Sequence, residues 1–265
     1  MWVHDINPVA VDFGALQIHW YGLMYLIGFA SAWYLGNYRA SRPGSGWNAQ
    51  QVSDLIFWGA MGVVLGGRFG YVLFYNFQQF LEDPLWLFAI WEGGMSFHGG
   101  LLGVITAIAF FAYKYEKGFF EIADFVAPLI PIGLGAGRLG NFIGGELWGR
   151  ATDQTWGVIF PGAGDRLARH PSQLYEMVLE GLVMFAVLWF YTRKPRPPMA
   201  ASGLFLLMYG LFRSVVELFR EPDGHIGFIA LDWLTMGQVL SLPMIIIGTI
   251  FLLMAQKRAA GDARV

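Results

Sequence analysis

The sequence predicts an all-α integral membrane protein with seven transmembrane helices and one small extramembrane segment, on three observations. Charged residues make up only 14% of the 265-residue chain, against the ~25% usual in soluble domains. Hydrophobic residues reach 56% and aromatic ones 17%, with a mean hydropathy of +0.49. Apolar windows recur at the ~20 residues a helix needs to span hydrocarbon, with none of the polar alternation of a soluble core. They place the spans at 18–38, 55–77, 96–113, 119–141, 175–193, 202–220 and 233–256. No stretch is left for a soluble domain, so 1–265 reads as a single polytopic domain.

At the N-terminus, MWVHDINPVAVDFG has neither a basic n-region nor a small-residue cleavage site, so the first apolar window is expected to stay as a helix. The links after spans one, three and five and the C-terminal tail hold ten basic residues: Arg39, Arg42, Lys114, Lys117, Arg193, Lys194, Arg196, Lys257, Arg258 and Arg264. The other side has four, Arg150, Arg166, Arg169 and Arg220, and its 78–95 link carries only Glu82, Asp83 and Glu92. Basic loops stay in the cytoplasm. The N-terminus is therefore expected outside and the C-terminus in the cytoplasm. RKPRPP at 193–198 is a stiff basic turn, and 142–174, rich in Gly and polar residues, is the one sizeable extramembrane element, a periplasmic head or arm. The net charge is −2 and no nucleic-acid partner is expected; without cysteine there is no disulfide, thiolate metal site or cysteine nucleophile.

Three basic residues remain, Arg68, Arg138 and Arg213, all inside spans. A charge at bilayer depth costs at least ~2.5–3.5 kcal/mol, so it faces a bundle interior, a partner or a wet cavity. A packing ion pair is the plain explanation for one such residue. Depth argues for more. Arg68, Arg138 and Arg213 lie 13, 19 and 11 residues past the cytoplasmic starts of their spans, at or beyond mid-membrane. Spans that begin outside carry polar residues early: His19 and Tyr21, then His98, then Tyr175 and Glu176. Glu217 lies near the outer end of its span. Groups gathered in one layer point to a polar chamber opening toward the outer leaflet. Tyr209, Arg213 and Glu217 repeat every four residues and share a helix face. Gly62, Gly66 and Gly70, and likewise Gly133 and Gly137, form small-xxx-small seams for close helix packing.

Three motifs are discounted. GAGRLG at 135–140 matches G-x-G-x-x-G but follows an apolar helix with no preceding strand. Ser96 and His98 stand two apart with no nucleophile elbow, and H-E-x-x-H zinc spacing is missing. What remains is phosphate chemistry. Arginine grips phosphate bidentately and stays charged, and His98 can move a proton near neutrality. The set fits recognition of a phospholipid head group plus acid–base chemistry, with any nucleophile supplied from outside.

Six blocks carry a resemblance: HWYGLMYLIGF (19–29), GGRFGYVLFYNF (66–77), WEGGMSFHGGLLG (91–103), APLIPIGLGAGRLGNFIGGELWGR (127–150), RHPSQLYE (169–176) and YGLFRSVVELFREPD (209–223). In order and over nearly the whole chain, they resemble the bacterial prolipoprotein diacylglyceryl transferases. The chain departs from many members at Gly144, where they carry Asn. The resemblance implies a seven-span inner-membrane enzyme, active as a monomer and without a cofactor, whose partners are phosphatidylglycerol and a prolipoprotein. It would move diacylglyceryl onto the lipobox cysteine thiol and release glycerol 1-phosphate. In that reading Arg138 and Arg213 hold the departing phosphate and His98, or a carboxylate in its place, takes the thiol proton. Tyr21, Asn141, Glu146, Gly149 and Tyr209 line the head-group pocket, Glu176 and Glu217 orient the arginines, and Arg68 supports the chamber. Two rivals stand beside it. An anion transporter would hold its site nearer the midplane, and a lipid-binding scaffold has no need of His98.

Overall fold

The computed structural model describes residues 2–14, 17–222, 227–231 and 233–262. Arg264 of the basic tail and Asp223 at the end of the last block lie outside them. The chain is mostly helical, and it divides into two compact units, 33–123 and 1–32 with 124–265.

Among the described residues, five helices are long and apolar enough to cross a membrane: Ala49–Tyr75, Phe97–Lys114, Phe119–Gly144, Ser172–Tyr191 and Met236–Gly261. The first predicted span is a 21-residue helix, α1 (Trp20–Ala40), in which four tyrosines and two tryptophans lower the hydropathy. The sixth is a shorter apolar helix, Ala200–Val216.

In the unit 33–123, α2 (Ala49–Tyr75) starts six residues before its predicted span because Asn48 and Gln51 form a reciprocal capping box there. A short helix, α3 (Phe77–Glu82), and two 3₁₀ turns (Pro84–Phe88, Ile90–Glu92) follow. Then comes α4 (Phe97–Lys114), whose first turn is capped by Ser96 Oγ accepting from Gly99 N at 3.2 Å. The expected glycine seam holds α2 against α4. A Cβ on Gly62 would lie 2.6 Å from the Gly103 carbonyl oxygen, and one on Gly70 would lie 2.7 Å from Gly99 Cα. Backbones this close exclude any side chain.

The other unit contains α5 (Phe119–Val126), of which residues 124 onward belong to it, and α6 (Ile130–Gly144), joined by a 3₁₀ turn at Ala127–Leu129. Helix α7 (Ser172–Glu176) runs through a π-helical turn (Met177–Val183) into α8 (Met184–Tyr191), and α9 (Ala200–Val216) and α10 (Met236–Asp262) complete it. The paired seam expected at Gly133 and Gly137 is corrected. Gly28 of α1 approaches Gly133, but Gly137 borders open space, and the next close approaches are Gly135 on Gly181 and Gly140 on Tyr21. Residues two apart on a helix point about 200° from each other. Gly133 and Gly135 thus serve opposite neighbours, which a four-residue spacing rule does not reveal.

Helix α9 begins without a cap of its own. Met199 precedes it with φ of 75°, and the carboxylate of Asp124 accepts from Met199 N and Ser202 N at 2.7 Å each and from Ser202 Oγ at 2.6 Å. Asp124→Ala leaves three donors without their acceptor and should lower stability by roughly 1–3 kcal/mol, read as a lower unfolding midpoint in detergent. An unchanged midpoint would show that this cap is dispensable.

Strand β1 (Trp2–Val3), β2 (Val9–Asp12) and β3 (Gln17–His19) precede α1, and β4 (Val158–Ile159) and β5 (Ala168–Arg169) lie between α6 and α7. The order in the three-stranded sheet is β1-β4-β5. Phe142, Val158 and Phe160 form a small core with Trp148 packed on it. His4 Nε2 donates to the Phe142 carbonyl at 2.7 Å, tying the N-terminal strand to the end of α6. That helix runs to Gly144 because Gly145 adopts the left-handed conformation, φ 64°. The stretch between α6 and α7 is accordingly 145–171, and it holds β4, β5 and one 3₁₀ turn at Pro161–Ala163.

Candidate active site

Glycine packing builds the site in the unit formed by 1–32 and 124–265. A Cβ on Gly135 would sit 3.0 Å from Gly181 Cα, so α6 presses against the π-helical turn. One turn further along α6, Arg138 then meets the carboxylates of Glu180 on that turn and of Glu176 at the end of α7. Its Nε lies 3.3 Å from Glu176 Oε2 and 3.5 Å from Glu180 Oε2. Arg213 of α9 pairs with the other oxygen of Glu176 and, four residues on, with Glu217. Tyr209, one turn before Arg213, lies beside Arg138. Two arginines from separate helices thus converge on one fully buried carboxylate.

Arg220 extends the cluster, with Nη1 3.5 Å from Glu176 and Nε 4.0 Å from Glu217. Its position comes from a β-bridge to Gly149. Arg150 reinforces it by donating to the carbonyls of Arg220 at 2.9 Å and Glu217 at 3.1 Å. Gly149 is buried in this seam: a Cβ there would lie 2.6 Å from His170 O and 2.7 Å from its Cβ. Thr235 donates to Glu217 at 2.6 Å. A cavity of about 140 Å³ opens here, lined by Arg213, Glu217, Arg220, Thr235 and Gly237 among others. Pockets that enclose a drug-sized ligand run to 300–1,000 Å³, so this one has room for a head-group fragment and not for a whole lipid.

The remaining expected residues separate into groups. Asn141 donates to Glu146 Oε1 at 2.8 Å, and Gln173 holds the Glu146 backbone carbonyl at 2.6 Å. Tyr21 packs on Gly140, with its hydroxyl 3.4 Å from that of Tyr25. In the unit 33–123, Arg68 is buried and donates to three carbonyls, Leu87 at 3.0 Å, Gly93 at 2.7 Å and Trp86 at 2.6 Å, with the Trp86 ring 4.4 Å away. It clamps the segment after α3. His98, in the first turn of α4, is exposed, and among the described residues its recorded partner is the ring of Phe97 at 5.6 Å.

Two cluster members escaped the sequence reading. Glu180 stands four residues after Glu176 within an apolar span, a spacing that would have marked it as a second carboxylate on one face. Arg220 was counted as a loop cation, although it follows Glu217 by three. Outside the spans, Arg169 pairs with Asp165 at 2.7 Å and Glu221 at 3.1 Å. The Asp165 hydrogen bond raises the Arg169 pKa, and Arg169 in turn holds the Asp165 carboxyl below its usual range. Burial lowers that of His170, whose Nδ1 lies 3.0 Å from the Tyr175 hydroxyl.

Fold and cluster together define a multi-pass helical membrane protein with arginines and carboxylates gathered in its interior. The model of the family "Prolipoprotein diacylglyceryl transferase" matches residues 8–254. The chain belongs to that family. It is 60% identical over 244 residues to the phosphatidylglycerol–prolipoprotein diacylglyceryl transferase of Marinomonas sp. (strain MWYL1), covering 92% of this chain and 91% of that one. The protein of the same name from Ectopseudomonas mendocina is 56% identical over 254 residues, 96% of each chain, and that of Legionella pneumophila is 60% identical over 244, covering 92% and 95%.

Proposed function

We propose that this chain transfers the diacylglyceryl group of phosphatidylglycerol to the cysteine thiol of a prolipoprotein lipobox. A C–S bond forms, the C–O bond to phosphate breaks, and glycerol 1-phosphate leaves. The convergence of Arg138 and Arg213 on buried Glu176 carries the reading, together with family membership. Arginines held by a shared carboxylate are preorganised, so they meet the charge that develops on the departing phosphate without reorganising. Glu176 and Glu217 set their orientation. Tyr21, Asn141, Glu146, Gly149 and Tyr209 shape the head-group pocket, Arg68 supports its surroundings, and His98 takes the thiol proton directly or by relay. The test is product release: purified protein, phosphatidylglycerol and a lipobox peptide should yield glycerol phosphate and a thioether-linked peptide. Lipid binding with no glycerol phosphate would favour the scaffold.

The enzyme spans the bacterial inner membrane seven times as a monomer, with α1 and α9 among the spans. At 1.5 Å per residue, the 21 residues of α1 reach about 31 Å, the thickness of the hydrocarbon core. Its interfacial aromatics fit that placement. The N-terminus and 142–174 face the periplasm, where the latter forms a head or arm, and the C-terminus faces the cytoplasm. Reporter fusions after Arg196 and at the C-terminus should read cytoplasmic and one at Asp165 periplasmic. A cytoplasmic signal at Asp165 would overturn this orientation.

A further inference from the structure

Glu180 differs from the other carboxylates of the cluster. It is fully buried, and neither oxygen accepts a hydrogen bond among the described residues. Glu176 accepts one from Arg213, and Glu217 accepts one from Thr235. The partner of Glu180 is Arg138 Nε at 3.5 Å, which Glu176 shares at 3.3 Å. The groups facing it are Arg138 from α6, Tyr209 and Arg213 from α9, and Glu176 at the end of α7; the 3₁₀ turn Ala127–Leu129 brings no titratable side chain. Its seat is a π-helical turn pinned by the Gly135–Gly181 contact, a distortion found often at functional sites.

Charge balance gives this carboxylate a task. Among the described residues, the ion pairs of the cluster join Arg138, Arg213 and Arg220 to Glu176, Glu180 and Glu217, three cations against three anions, with the nitrogens of Arg150 spent on backbone carbonyls. A phosphodiester entering this site brings one further negative charge and no cation. An uncompensated charge in a low-dielectric interior is expensive, and the least costly remedy is one proton on the carboxylate with the fewest hydrogen bonds to lose.

We propose that Glu180 takes up a proton when the phosphodiester docks on Arg138, so that lipid binding is linked to proton uptake. This rests on the reading above that Arg138 receives the phosphate. The step balances simply: one carboxylate gains one proton from solvent as one lipid anion binds. Protonation also frees Arg138 from a competing anion when the phosphate needs it.

The experiment is calorimetric titration of the full-length protein with phosphatidylglycerol micelles, in two buffers of different ionisation enthalpy and free of phosphate. The wild type should take up about one proton per lipid, with affinity falling as much as tenfold per pH unit on the alkaline side. Glu180→Gln, which resembles the protonated form, should bind without uptake, and Glu180→Asp should keep it. Binding by the wild type with no uptake would overturn the proposal, whether or not the variants fold. Unchanged uptake in Glu180→Gln would overturn it by moving the proton to another carboxylate. If the wild type does not bind the lipid at all, the phosphate reading of Arg138 fails and the proposal with it.

Discussion

Arg138→Lys and Arg213→Lys should each lower turnover about a hundredfold or more while the protein still reaches the membrane. Arg213 spans two carboxylates, Glu176 and Glu217, with separate nitrogens of one planar fork. Arg138 reaches Glu176 and Glu180 through Nε. Lysine keeps the charge but concentrates it at one hydrated point and loses the bidentate geometry. Removal of one preorganised donor from a developing anion typically costs 10²–10³ in rate. Turnover per inserted molecule and membrane level must both be measured. If the level falls while each inserted molecule works normally, these arginines serve packing alone.

His98→Gln should reduce turnover by ~10²–10⁴, the usual contribution of a positioned base, with phosphatidylglycerol binding and membrane level unchanged. The exposed imidazole opens α4 beside the Ser96 cap, where water and an incoming thiol have access. A thiol with pKa ≈ 8.5 is mostly protonated at neutral pH. Glutamine cannot accept that proton. Raising the pH toward 8.5 ionises the thiol unaided and should restore part of the rate. Full activity of His98→Gln at neutral pH would remove His98 from the mechanism and turn attention to Glu146 and Glu217.

Much of the candidate cluster was legible because charge inside an apolar helix is conspicuous. Arg138, Arg213, Glu176 and Glu217 stood out, and the structure gathers these four in one cluster. Glu180 passed unnoticed although it obeys the same rule, since attention to depth favoured groups at the start of its span. Arg68 showed the converse. Its depth matched that of the other two arginines, but its nitrogens are engaged by the carbonyls of Trp86, Leu87 and Gly93, and loop carbonyls leave no sequence pattern.

The helical membrane class, the positions of the apolar segments and the asymmetry of basic loops were settled by the sequence by itself, because burial in lipid acts on each segment separately through length, hydropathy and charge. Local caps moved two helix ends, at Asn48 and Gly145, while α9 stops at Val216 and α10 runs on to Asp262 with no side-chain cap at either place among the described residues. Only the tertiary structure decided which glycines touch and which carboxylates an arginine meets. Gly135 faces Gly181 and Gly137 faces open space, although both lie on one helix. Such pairings depend on the rotation and separation of neighbouring helices, which in lipid are set by close packing and interhelical bonds between segments far apart in the chain. Spacing along one segment carries no record of them.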